Sequence, residues 1–108
     1  MRQLKVAATP DTISAFRCRR EVVDFEKCDL AEVSVVVVTP VEAEGFAIAR
    51  IEDTGFGIPV VVMTDIDALP DTLVGKVASV INRNVCDAEL FGRKIDTLAQ
   101  KYEDDILP

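Results

Sequence analysis

The stretch Val33–Pro40, VSVVVVTP, carries almost no polar group and no alternation of polar with apolar. A strand that is apolar on both faces has to be covered on both faces. That is the habit of a parallel sheet inside an α/β layer structure. Six of the eight residues are β-branched, which stiffens χ1 and favours strand over helix. Thr39-Pro40 ends the ladder, because proline has no N–H to offer it. The stretch reads as the central strand of a small open sheet.

On its N-terminal side, Leu4–Thr9 (LKVAAT) reads as a first strand, followed by the turn and helix-start signal Pro10-Asp11-Thr12. A short helix is expected over Asp11–Cys18, burying Ile13 and Phe16. Arg17, Arg19 and Arg20 follow it. They read as a solvated helix end complementing the dipole, with a small anion site or subunit contact as the sharper alternative. Glu21–Phe25 (EVVDF) is shorter and more polar, a strand at a sheet edge. Glu26–Glu32 is a connector with room for one helical turn.

On its C-terminal side, Val41–Gly55 places Val41, Phe46 or Ala47, Ile48 and Ile51 at roughly helical spacing. Gly45 weakens that helix by about 1 kcal/mol relative to Ala and marks where it would break. Gly55 is its natural stop. Ile58–Thr64 (IPVVVMT) is a second two-sided apolar run, hence another interior strand, and Asp65–Pro70 a loop. Asp71–Asn82 is expected as a helix with Asp71 as N-cap and Leu73, Val77, Val80 and Ile81 inward. Ala88–Leu107 is a last helix with an apolar stripe of Phe91, Ile95, Leu98, Tyr102 and Ile106. Four strands alternating with helices give an α/β fold: a small, doubly wound parallel sheet, flavodoxin- or receiver-like, with strand order 2-1-3-4.

The 108 residues make one domain. With 49% hydrophobic and 29% charged residues the chain is globular. No apolar run reaches the roughly 18 residues that span a bilayer, and MRQLKV lacks the features of a signal peptide. A soluble, cytoplasmic protein without a membrane partner is expected. A net charge of −7 argues against nucleic acid as partner, since phosphate binding needs a basic face. Cys18, Cys28 and Cys86 are far apart, with no CxxC and no histidine in the chain. They read as reduced cysteines packed as small apolar residues, not zinc ligands. Without histidine, Ser-His-Asp and Cys-His nucleophilic machinery is excluded.

An open α/β sheet keeps its ligand crevice at the carboxyl ends of the strands. Those ends carry Thr9-Pro10-Asp11, Thr39-Pro40 and Thr64-Asp65-Ile66-Asp67. A phosphoacceptor receiver domain would need an aspartate where Thr39 or Pro40 stands, acidic residues after the first strand, and a late lysine. Only Asp11 and Thr64 fit. A dinucleotide site would need GxGxxG after the first strand. TGFGIP at Thr54–Pro59 supplies a GxG, but ahead of a strand, where it reads as a turn. Asp65 with Asp67, and Glu103-Asp104-Asp105, are the carboxylate groups that could chelate a cation; neither spacing demands one. No catalytic, cofactor-binding or metal-binding residue is assigned.

Two motifs carry a family resemblance. TGFGIPVVVMT at Thr54–Thr64 and the segment from Phe91 to Pro108, FGRKIDTLAQKYEDDILP, resemble the N-terminal wing domain of the bacterial Orn/Lys/Arg decarboxylases, most of all the inducible ornithine decarboxylases. The opening LKVAAT and the REVVDF strand agree in placement. The resemblance implies a non-catalytic, receiver-like wing of a large pyridoxal-phosphate enzyme that forms putrescine and CO2 from ornithine. It implies residues 1–84 as the wing proper. Residues 85–108 would be a helix and the start of a linker toward a PLP-binding domain absent from this chain. The cofactor and substrate residues of the family lie downstream, so none is carried over. The implied partners are that PLP-binding domain, a homo-oligomer, and in some members a guanine-nucleotide effector. The alternative is a stand-alone, phosphorylation-dead receiver-like interaction module.

Overall fold

The computed structural model describes residues 4–65, 69–84 and 87–106. Asp67, Cys86 and the Leu107-Pro108 end of the second motif lie outside them. Five strands form one all-parallel sheet: β1 (Lys5–Ala8), β2 (Val22–Asp24), β3 (Val33–Val38), β4 (Val60–Thr64) and β5 (Ser79–Asn82), in the order β2-β1-β3-β4-β5. The expected order 2-1-3-4 is present, with one further strand beyond β4.

All six residues of β3 are buried, as are all five of β4. Alternate residues feed two separate cores. Val36, Val38, Val60 and Val62 point into one. It is covered by a helical stretch made of α1 (Pro40–Glu42), a π turn (Ala43–Ala47) and α2 (Ile48–Thr54). Val35, Val37, Val61 and Met63 point into the other, covered by α3 (Ala88–Ile106) and by Phe16. Each fully buried valine contributes about 1.5–3 kcal/mol relative to exposure, so neither cover is dispensable. The buried Ser34 sits where the β1–β3 register shifts between Lys5 and Val6, and its hydroxyl donates to the Lys5 carbonyl at 3.3 Å.

Several expectations are corrected. Residues 71–82 are not a helix: a 3-10 turn over Asp71–Leu73 leads through Gly75, at φ 81°, into β5. Positive φ breaks a helix, and the β-branched Val77, Val80 and Ile81 favour extension. Their helical spacing was coincidental. Leu73 and Ile81 are buried, but Val80 is exposed. Residues 10–14 form successive turns and 15–18 continue without helix, because the Thr12 hydroxyl bonds the carbonyls of Thr9 and Val37 and competes with helix. Phe16 is buried there while Ile13 is exposed.

Between Val41 and Gly55 the chain does not break at Gly45; the π turn absorbs it. That turn brings Ala43, Ala47 and Ile51 onto the sheet and leaves Val41 and Phe46 exposed. Phe46 lies beside Phe25, ring centroids 5.9 Å apart. Gly55 stops α2 in the left-handed conformation, φ 70°.

On α3 the buried stripe runs Phe91, Ile95, Ala99 and Glu103, with Leu98 and Tyr102 half-buried and Ile106 exposed. A glutamate on that stripe is accounted for by Arg20. Arg20 Nη1 lies 2.5 Å from Glu103 Oε2, and both side chains are 4% exposed. The same carboxylate oxygen accepts the Leu4 N–H at 2.7 Å. Arg20 also donates to the Leu4 carbonyl and to Gln100 Oε1, each at 3.4 Å. The pair ties the end of α3 to the start of β1. Arg20 is therefore no solvated helix end; Arg17 and Arg19 are the exposed members of the cluster.

The other end of α3 is fixed by contact. Phe91 stacks on Phe16 with centroids 5.3 Å apart, and the Arg17 N–H donates to the Ala88 carbonyl at 3.1 Å. A Cβ on Gly92 would stand 1.7 Å from the Arg17 carbonyl oxygen, so only glycine permits this approach. We expect Gly92→Ala to lower stability in urea unfolding by about 2 kcal/mol or more through overpacking. Gly45→Ala, whose Cβ meets nothing within 4 Å, should raise it by about 0.5–1 kcal/mol through helix propensity. Equal behaviour of the two variants would contradict the close approach.

Candidate functional site at the carboxyl ends of the strands

In this strand order the connections leave in opposite directions from β1 and β3, so the crevice of the fold lies at their carboxyl ends. Four side chains meet there: Thr9, Thr12, Thr39 and Glu42. The Glu42 carboxylate accepts the Thr9 hydroxyl at 2.6 Å and the Thr39 N–H at 2.9 Å. In return the Thr39 hydroxyl accepts the Glu42 N–H at 3.3 Å. This is a capping box, which satisfies two exposed donors of the helix start reciprocally. The Thr12 hydroxyl donates to the Val37 carbonyl at 2.9 Å and accepts the Thr9 N–H at 3.1 Å. Thr9 and Thr12 are fully buried.

This cluster is closed on itself. One Glu42 oxygen is engaged by two donors of the chain, the Thr9 and Thr12 hydroxyls by that carboxylate and by carbonyls, and the Thr39 hydroxyl by the Glu42 N–H. Asp11 is exposed and has no polar partner among the described residues. Asp65 forms an ion pair with Arg83. Thr64 is buried at the end of β4. Among the described residues no side-chain hydrogen bond or ion pair joins Asp11 or Asp65 to the threonine cluster. Among the described residues no group of three or more His, Cys, Asp or Glu could hold a metal ion. Of the Glu103-Asp104-Asp105 run, Glu103 turns inward to Arg20.

A pyridoxal-phosphate site would need a lysine whose amine sheds its proton inside a cavity. No lysine here is buried. Hydrogen bonds that the Lys5 ammonium donates to Glu21 and Glu32 push it up from its ordinary pKa and hold it protonated, the opposite of what an imine requires. The residues present do not fit that cofactor. Cys18 and Cys28 are free, half-buried thiols that donate to the carbonyls of Arg20 and Phe25. Burial pushes both thiols above their usual pKa.

The threonine cluster was half legible in the sequence. Thr39-Pro-Val-Glu42 has the T-x-x-E spacing of a capping box, but the tie from Glu42 to Thr9 spans 33 positions and has no local signal. Thr39→Ala should cost about 1 kcal/mol in thermal or urea unfolding, the usual loss for an N-cap hydroxyl. A raised thiol pKa means less thiolate at a given pH. Cys18 and Cys28 should accordingly be alkylated by iodoacetamide at pH 8 more slowly in the native chain than in urea, read by peptide mass spectrometry. Equal rates would show the thiols to be open.

Comparison with known proteins bears on what this architecture belongs to. The family model described as "Orn/Lys/Arg decarboxylase, N-terminal domain" matches residues 4–102. The chain is 31% identical over 109 residues to the ornithine decarboxylase of Haemophilus influenzae, covering 100% of this chain and 15% of the relative. It is 35% identical over 107 residues to the inducible ornithine decarboxylase of Lactobacillus sp. strain 30a, covering 97% and 14%. The constitutive ornithine decarboxylase of Escherichia coli is 28% identical over 108 residues, covering 100% and 14%. The chain thus spans about one seventh of the length of these relatives. With a five-stranded parallel sheet and a family match across nearly its whole length, the chain belongs to the Orn/Lys/Arg decarboxylase family, as an N-terminal domain of it.

Proposed function

We propose that this chain is the non-catalytic wing of a pyridoxal-phosphate-dependent ornithine decarboxylase, an enzyme that converts ornithine to putrescine and CO2 in the cytoplasm. Its role there is to assemble subunits and to carry regulation, while the PLP-binding domain of the parent chain does the chemistry. The observation that carries this reading is the family match over residues 4–102, joined to relatives that are all ornithine decarboxylases in name. The strand-end cluster supports it, because its threonine hydroxyls and one Glu42 oxygen are bonded to side chains and backbone of the chain itself. The surface lysines support it as well, since none is placed for imine chemistry. No helix among the described residues is long and apolar enough to cross a membrane.

Of the arginine cluster, Arg17 and Arg19 are free to meet a guanine-nucleotide effector of the assembled enzyme, whereas Arg20 is committed to Glu103. α3 packs on the same sheet as the rest, so the linker toward the PLP-binding domain is proposed to begin beyond it.

The isolated chain, given pyridoxal phosphate and ornithine, should release no CO2. It should also gain no mass from acetyl phosphate with magnesium, which separates the wing from a working receiver module. Deleting the segment from the full-length parent should leave decarboxylation measurable and abolish the larger oligomers in sedimentation. An unchanged sedimentation profile would contradict the assembly role, and turnover by the isolated chain would contradict the whole reading.

A further inference from the structure

The two edges of the sheet differ. β2 is three residues long, carries Asp24, and is preceded by Glu21, which pairs with Lys5. Short length and charge are the usual protections of an edge strand. β5, Ser79–Asn82 (SVIN), has no charged residue and no proline. Ala78 donates to the Val60 carbonyl at 2.8 Å and Arg83 to the Thr64 carbonyl at 3.0 Å, so β5 is paired to β4 along one side. In a parallel ladder alternate peptide groups face the partner. The even-numbered residues of β4 turn toward β5, as the Val60 and Thr64 carbonyls show. In the register that pairs Val62 with Val80 it is therefore Ser79, Ile81 and Arg83 that face β4, and the peptide groups of Val80 face outward. Val80, on the α2 side, is 41% exposed.

The start of this edge is flanked by grooves on both faces of the sheet. On the α2 side a groove of about 690 Å³ is floored by Ile48, Ile51, Ile58 and Val77 and rimmed by Glu52 and Lys76. On the α3 side a groove of about 360 Å³ runs between Ala78-Ser79 and the side chains of Arg93, Lys94 and Leu98. One is apolar in its floor and the other basic. Lys76, Arg93 and Lys94 form no ion pair with any described residue. An added strand sends successive side chains to opposite faces. It would deliver one alternating set to the apolar groove and the other to the basic one.

We propose that the β5 edge receives, as a sixth strand, an extended segment of a partner polypeptide that alternates apolar with acidic residues. Its peptide groups pair with those of Val80, its apolar residues lie on the α2 side near the Val80 side chain, and its carboxylates meet Arg93 and Lys94. This is strand addition, with main-chain bonds for affinity and alternate grooves for specificity. A second copy of the chain is the poorer occupant, because it would bring a second set of the same cations to the junction. At physiological salt the Debye length of about 8 Å lets the local cations outweigh the distant negative charges. The inference does not depend on the activity of the parent enzyme.

The probe is a fluorescein-labelled seven-residue peptide alternating valine and glutamate, with a lysine-for-glutamate peptide as control. In ¹H–¹⁵N spectra of the 108-residue chain, the glutamate peptide should shift the Val80 amide most, and rising salt should weaken it. The exposed double variant Arg93→Glu, Lys94→Glu should bind at least about tenfold less tightly, the loss expected for charge-assisted contacts. Val80→Pro, which removes an outward N–H, should bind less tightly while keeping the spectrum of the folded chain. Four results would overturn the proposal: no binding, equal binding of the lysine peptide, shifts confined elsewhere, or self-association of the chain through β5 without peptide.

Discussion

A strand with no polar face cannot lie on a surface. β3 is that strand, buried along its whole length, and β4 repeats the constraint beside it. Two covers are then required. The helical stretch after β3 supplies one from a short connection, where the capping box of Thr39 and Glu42 starts it at once. The other arrives from the far end of the chain as α3. The parallel sheet, the crossovers and the two separate cores all follow from keeping water off those valines.

α3 has to be held in place over a sheet it joins last. Its apolar contacts with Phe16 and the valines give it affinity for the sheet but leave its angle weakly defined. Two features define the angle. Gly92 lets the helix axis come against the Arg17 backbone, and the buried Arg20–Glu103 pair closes the opposite end on Leu4. A buried pair of this kind gives little net stability against an apolar replacement, because both ions lose their water. Its strength lies in the penalty for breaking it, since a lone charge would remain inside. Arg20 thereby belongs to the scaffold, and the chemistry open to the arginine cluster narrows to Arg17 and Arg19.

What could be read from the sequence followed local rules. The two apolar runs gave β3 and β4, the glycine stop gave the end of α2, and the short polar run gave an edge strand at Val22–Asp24. Residues 71–82 misled because Val77, Val80 and Ile81 fit a helical period by chance, and the left-handed Gly75 was the stronger signal. The stripe on α3 was misread at its last turns, because a glutamate was not credited with burial until its partner, 83 positions away, was in view. The strand-end cluster was divided in the same way: its capping half is a spacing of three residues, and its Thr9 half is a tertiary contact. Family motifs reached further than periodicity did, since FGR in α3 marks Phe91 and Gly92, the two residues that dock the helix on the 15–18 segment.

The account makes the covering of β3 and the seating of α3 one cooperative event. Native-state hydrogen exchange of the Val35–Val38 amides, in the parent sequence and in Glu103→Ala, tests this most directly. Removing one partner of a buried pair costs about 3–5 kcal/mol. The account predicts that these amides are among the slowest in the parent sequence and that in the variant they accelerate together with those of α3, by the same factor of about a hundred or more. Acceleration confined to α3, with β3 as protected as before, would contradict it.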